Sequence, residues 1–145
     1  MSRTIITRNI KAPIELVFKT VANISEFSKA IPHIVKVEYL SDIKSGVGAR
    51  FRETRLMKGK ETPTELEVTE YVKNDRVRLV ADSHGTVWDT VFTVKREGDH
   101  TTLTMTMDAR STRLITRVVV FMISGMVKKA IGRDMDSVKA HCERQ

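Results

Sequence analysis

Cysteine is almost missing from this sequence: Cys142 is the single one in 145 residues. One thiol cannot close a disulfide within the chain, and without paired cysteines the common thiolate metal sites are excluded too. The four histidines, at 33, 84, 100 and 141, show no ligand spacing, so no metal site is expected. No Gly-x-Ser-x-Gly presents a nucleophile, and Gly46-Val47-Gly48 is too short for a phosphate-binding loop and leads into a strand. No cofactor is expected on these grounds. The apolar run 114–131 is interrupted by Arg117, Lys128 and Lys129, which excludes a bilayer-spanning helix. Aromatic residues make up 6%, and none interleaves with the basic cluster Arg50, Arg52, Arg55, Lys58 and Lys60 in the way that stacks bases. Nucleic acid is therefore not an expected partner. No charged-then-apolar leader opens the chain, and the lone cysteine suits a reducing compartment, so a cytoplasmic location is expected.

What is present describes an ordinary folded chain. Hydrophobic residues at 41% and charged residues at 30% predict a soluble globular protein, and the length predicts one domain over 1–145. The charge is uneven along the chain: residues 1–60 carry 12 basic and 5 acidic side chains, while 61–145 carry 13 of each. An excess of this kind, if it forms one face, suits an acidic protein or an anionic membrane surface.

Periodicity divides the chain into three parts. The β-branched stretch 3–10 predicts an opening strand. Pro13 suits the first turn of a helix carrying Ile14, Val17, Phe18 and Val21, and a second short helix groups Ile24, Phe27 and Ile31 before Pro32 ends it. From 34 to 109 the period is two, with turn signals that separate strands over 34–43, 49–58, 63–73, 76–83, 86–96 and 101–109. Leu103, Met105, Met107 and Ala109 alternate with Thr102, Thr104, Thr106 and Asp108, which predicts one apolar and one wet face. From Arg113 to Glu143 the period is helical, with Gly132 as an expected bend and Cys142 as a packing residue. The order strand, two short helices, six strands and one long helix is α+β, and only the last helix is long enough to cover the sheet.

Five methionines fall on faces that this pattern turns inward: Met57, Met105, Met107, Met122 and Met126. Flexible thioethers adapt to varied apolar shapes and suit either a deformable pocket or an imperfect core.

Several short stretches, taken in order, resemble the START-related superfamily that includes polyketide cyclases (SRPBCC). They are Ala12-Pro13-Ile14-Glu15-Leu16-Val17-Phe18, Phe27, Ile31-Pro32, Gly46-Val47-Gly48-Ala49-Arg50-Phe51, Val68-Thr69-Glu70-Tyr71 and Thr101-Thr102-Leu103. The part through Ile31-Pro32 also resembles the coenzyme Q-binding branch. The resemblance implies a helix-grip fold, in which a curved antiparallel sheet of about seven strands wraps the C-terminal helix around a cavity for an apolar ligand.

Strand parity supplies the cavity candidates. If Phe51 points inward, so do Glu53, Arg55 and Met57; if Phe92 does, so do Trp88, Thr90 and Val94. Together with Met105, Met107, Met122 and Met126 these are the expected ligand-binding residues, with Arg55 donating to a ligand oxygen or to Glu53. The leading expectation is binding or transfer of a hydrophobic small molecule such as a lipid, polyketide or quinone, without a catalytic residue. The alternatives are cyclase or dehydratase chemistry with Glu53 or Asp89 as acid or base, and an interaction module docking an acidic partner through the basic N-terminal part. Weak contact with an anionic membrane is expected through Arg50, Arg52 and Lys58 if they face outward.

Overall fold

The computed structural model describes residues 2–83, 85–111 and 114–145, with side chains throughout these ranges except at Ser2 and 114–124. The elements run β1 (Ser2–Ile10), α1 (Ile14–Ala22), α2 (Ile24–Ala30), β2 (Ile34–Tyr39), β3 (Arg50–Met57), β4 (Lys60–Val72), β5 (Arg76–Ser83), β6 (Thr86–Glu97), β7 (His100–Ser111) and α3 (Leu114–Glu143). All seven strands form one antiparallel sheet in the order β1-β7-β6-β5-β4-β3-β2. The number, order and type of elements are those read from the sequence. Among the described residues no helix is long and apolar enough to cross a membrane.

Local chemistry sets the boundaries. Pro13 sits one residue before α1, at φ −64° and ψ 148°, and its carbonyl accepts from the Leu16 and Val17 N–H groups. Its ring thus fixes the approach to the helix without removing a helical donor. Ile31 is extended before Pro32 and closes α2. Strand β4 starts three residues earlier than the pattern predicts, because Lys58 and Gly59 form a two-residue turn with φ of 52° and 76° and pair Met57 directly with Lys60. Both positive angles match the mirror-image turn that suits the right-handed twist of hairpin strands. Strand β2 ends early, at Tyr39, and Ser41 holds the connection by donating to the Ile43 carbonyl and accepting from the Arg50 N–H.

The registers lay inward side chains in rows across the sheet. One row is Tyr71, Val77, Phe92, Met105 and Ile6, and the next is Val68, Leu79, Thr90, Met107 and Thr4. The third contains Ala81, Trp88 and Ala109. Apart from half-buried Tyr71, the first row is buried, and it packs with Val17 and Phe18 of α1, Ile31, and Met135 and Val138 of α3.

Helix α3 lies along β1. Arg8 Nε donates to Asp136 Oδ1 at 2.6 Å, Lys139 Nζ to the Asn9 carbonyl at 2.9 Å, and the Lys11 N–H to Glu143 Oε2 at 2.8 Å. Its buried stripe is Ile131, Met135, Val138 and Cys142. The helix is continuous through Gly132, which turns toward Ile6 and Arg8. Cys142 is packing, as expected: its thiol lies 3.5 Å from the Thr20 hydroxyl, and burial pushes its pKa up. Helix α3 packs against β1, β7, α1 and α2, and among the described residues it makes no comparable approach to β3, β4, β5 or β6.

The outer face of the sheet is held by ion pairs across strands. Arg3 grips Asp108 with two hydrogen bonds of 2.7 and 3.0 Å. Arg78 donates to Asp89 at 2.8 Å and to Glu70 at 3.1 Å, and Arg110 stands 3.5 Å from Asp89. Hydrogen bonding from Arg78 outweighs the opposing effect of burial and holds the Asp89 carboxyl below its usual range. Because the folded-state carboxyl titrates below its unfolded value, its contribution is complete above about pH 4 and is lost as pH falls through the folded value.

Asp89→Asn should therefore lower stability by about 1–3 kcal/mol at neutral pH, as for a buried charged hydrogen bond that loses its charge. Urea unfolding at pH 7 and pH 3 should show the difference between variant and wild type narrowing in acid. An equal difference at both values would show that Asp89 contributes only through shape.

Candidate functional site

The inner face of the sheet changes character along the strands. The end nearest α1 is solid core, whereas Leu66, Leu79, Trp88 and Met107 toward the other end are only half-buried. Trp88 has Ala81 and Ala109 as its register partners, so its indole stands between two small side chains. It is also outside the contiguous buried core. The Thr90 hydroxyl, between Leu79 and Met107, has no hydrogen-bond partner among the described residues. Strand alternation brings Phe51, Glu53, Arg55, Trp88, Thr90, Phe92, Met105 and Met107 to this one face, with Phe51, Phe92 and Met105 built into its buried part.

Three expected residues stand elsewhere. Met57 is 49% exposed: its parity is inward, but β3 has by then reached the Lys58–Gly59 turn and parity no longer implies cover. Met126 is 68% exposed, because nine residues at about 100° each place it opposite Met135 on the helix. The side chain of Met122 lies outside the described residues. Asp89, the second acid or base of the enzyme reading, is on the outer face under Arg78 and is kept ionised there, so it cannot serve chemistry on the inner face.

Arg55 is the central polar group. Its Nε donates to Glu53 Oε1 at 2.9 Å, and its Nη1 donates to Asp134 Oδ2 of α3 at 2.8 Å. Burial lowers the pKa of the guanidinium, but the charges of Glu53 and Asp134 more than offset this and hold it above its ordinary value. Arg55 thus stays charged and spans from β3 to α3, whose later residues Asp136, Lys139 and Glu143 bond to β1 and Lys11 at the opposite edge of the sheet. Asp134 was not singled out from the sequence. Its signal was a carboxylate at helical spacing from Ile131 and Val138, within the stripe that proved to be buried.

The basic excess of residues 1–60 does not form a basic face in β3. Arg52 pairs with Glu65 at 2.7 Å and with Glu38 at 3.7 Å, and Arg50 lies 3.9 Å from Glu67. Basic β3 is simply neighbour to acidic β4, and a count along the chain separates what pairing brings together. Lys58 and Lys60, at the turn, have no ion pair among the described residues.

A separate cleft of about 410 Å³, lined by residues including Lys11, Pro13, Arg96 and His100, opens beyond the other end of the sheet. It lies outside the apolar inner face, and its His100 and Asp99 side chains are already hydrogen-bonded to each other at 2.6 Å. Among the described residues no group of His, Cys, Asp or Glu is placed to hold a metal ion.

Solved structures share this architecture over nearly their whole length. Ara h 8.0201 superposes with a TM-score of 0.78 at 11% identity, covering 99% of this chain and 99% of that one. A START superfamily protein from Mycobacterium smegmatis gives 0.73 at 15% identity, covering 98% and 97%, and major latex-like protein 151 from Panax ginseng gives 0.73 at 13%, covering 97% of each. At such identities these likenesses establish the helix-grip fold alone. No curated protein is similar enough to count as a match. In sequence, the family model described as polyketide cyclase / dehydrase and lipid transport matches residues 2–143, and the chain belongs to that family.

Proposed function

We propose that the chain binds an apolar small molecule on the inner face of the sheet, between α3 and strands β3 to β6. The observation that carries this reading is the half-buried apolar row Leu66, Leu79, Trp88 and Met107 on the inner face, beside the part of α3 that, among the described residues, packs on β1 and β7. An apolar surface left open by its own helix is stabilised by an apolar guest, at roughly 25 cal/mol per Å² removed from water. The family, whose description includes lipid transport, is in keeping with such a guest. A cyclase or dehydratase role is the second reading, and the observation favouring it is that Glu53 is inward and 8% exposed on that face.

Native mass spectrometry and solvent extraction of the purified protein should reveal a bound or exchangeable apolar molecule. An environment-sensitive apolar dye should bind near one-to-one and alter Trp88 fluorescence. Binding without any change in Trp88 emission would move the site elsewhere, and no binding at all would contradict the reading.

The tip of the β3–β4 hairpin supports a second contact. Leu56 and Met57 are exposed there beside Lys58 and Lys60, so apolar and cationic groups share one edge, a combination suited to an anionic lipid surface. Sedimentation with anionic liposomes at low salt should exceed that with neutral ones, and Lys58→Gln with Lys60→Gln should remove most of the difference. Equal sedimentation of the wild type with both would refute the contact.

A further inference from the structure

The two edges of the sheet are finished differently. On β1 the outward backbone is taken up, since the Asn9 carbonyl accepts from Lys139 and the Thr7 carbonyl from Arg8. Strand β2 is the other edge. The Leu40 N–H donates to the Arg50 carbonyl, and Glu38 and Lys36 stand opposite Arg52 and Thr54. The alternation of an antiparallel ladder therefore turns the N–H and C=O groups of Val37 and Tyr39 away from β3. Among the described residues those groups make no hydrogen bond. Beside them Val35 is 50% exposed and Tyr39 36%. An open edge of this kind is a template for a further strand.

The edge is also complementary to itself. Lys36 and Glu38 flank Val37 on the outer face, 3.4 Å apart and both accessible, with Arg52 at 3.7 Å from Glu38. In an antiparallel pair of identical strands with its two-fold axis at Val37, Lys36 of one copy stands opposite Glu38 of the other, and Val35 opposite Tyr39. An axis at Lys36 or at Glu38 would set like charges face to face. The bulge at Val35 leaves the run from Lys36 to Tyr39 regular, so the centre of such a pair is not interrupted.

We propose that two copies of this chain associate edge to edge through β2, in an antiparallel pair centred on Val37. The two Val37 residues exchange both of their free backbone bonds, Val35 and Tyr39 extend the ladder on either side, and Lys36 and Glu38 form two ion pairs across the axis. The occupant is a second copy because the order apolar, basic, apolar, acidic, apolar from Val35 to Tyr39 matches itself when reversed. One strand pair is a small interface, so the dimer is weak, with a dissociation constant on the order of 10–100 μM.

Sedimentation equilibrium of the full chain at rising concentration tests it, and the wild type should pass from monomer to dimer. Lys36→Glu alone and Glu38→Lys alone each bring like charges together across the axis and should weaken association about tenfold. An equal mixture of these two variants should associate as the wild type does, because every charge then meets its opposite, and so should one chain carrying both substitutions. Restoration in the mixture separates contact across the axis from damage to β2. If Glu38→Lys does not fold, as circular dichroism would show, the doubly substituted chain set against Lys36→Glu decides the matter. A wild type still monomeric at about 1 mM overturns the proposal and leaves the edge to an extended segment of another protein. A dimer that the single variants leave unchanged, or that the mixture does not restore, overturns it as well.

Discussion

The seating of α3 along β1 governs most of what this structure can do. An antiparallel sheet with one apolar face must have that face covered, and here the covering helix is fastened to the first strand by Arg8–Asp136, Lys139–Asn9 and Lys11–Glu143. Those bonds fix the later part of α3 beside β1 and β7, while α1 packs on β5, β6 and β7 and α2 on β2. The middle strands keep an inner surface that is apolar in side chain and incomplete in cover. Among the described residues an ion pair from Arg55 to Asp134 links α3 across to β3.

That ion cluster is unusual in energy as well as position. Withdrawing charges from water is costly, and a buried pair seldom stabilises a fold more than apolar side chains of the same shape would. Glu53, Arg55 and Asp134 are largely shielded, whereas the pairs of the outer face mostly keep at least one exposed partner. The outer pairs knit strand to strand and balance a basic β3 against an acidic β4. The inner cluster places charge on a face that is otherwise apolar, and each carboxylate there is held by Arg55.

The parts of the fold that depend on local pattern were legible in the sequence. Alternation from Leu103 to Ala109, the helical spacing of Ile14, Val17, Phe18 and Val21, and the Lys58-Gly59 turn each follow from short-range sterics and burial, and the resemblance to START-related proteins agreed with their order. Parity also placed Phe51, Glu53 and Arg55 on one face. What was not legible depends on which surfaces meet. Met126 belongs to an apolar run but lies opposite the buried stripe of α3, and that stripe is chosen by contact with β1. Asp134 is an ordinary acidic residue until β3 brings Arg55 within 2.8 Å. The uneven charge of the two parts of the chain does not become a basic face on β3, because Arg52 meets Glu65 across a strand pair.

The proposed small molecule sits on the inner face beside the half-covered row of Leu79, Thr90 and Met107, with Trp88 in the next row. Isotope-edited nuclear Overhauser measurements on protein carrying labelled methionine methyl groups and a labelled Trp88 indole, in the presence of the apolar dye, read this placement directly. Cross-peaks from the ligand to Met107 and Trp88, with none to Met126, are predicted. Cross-peaks to Met126 or Met57 in place of Met107 and Trp88 would put the ligand outside the sheet's inner face and contradict that placement.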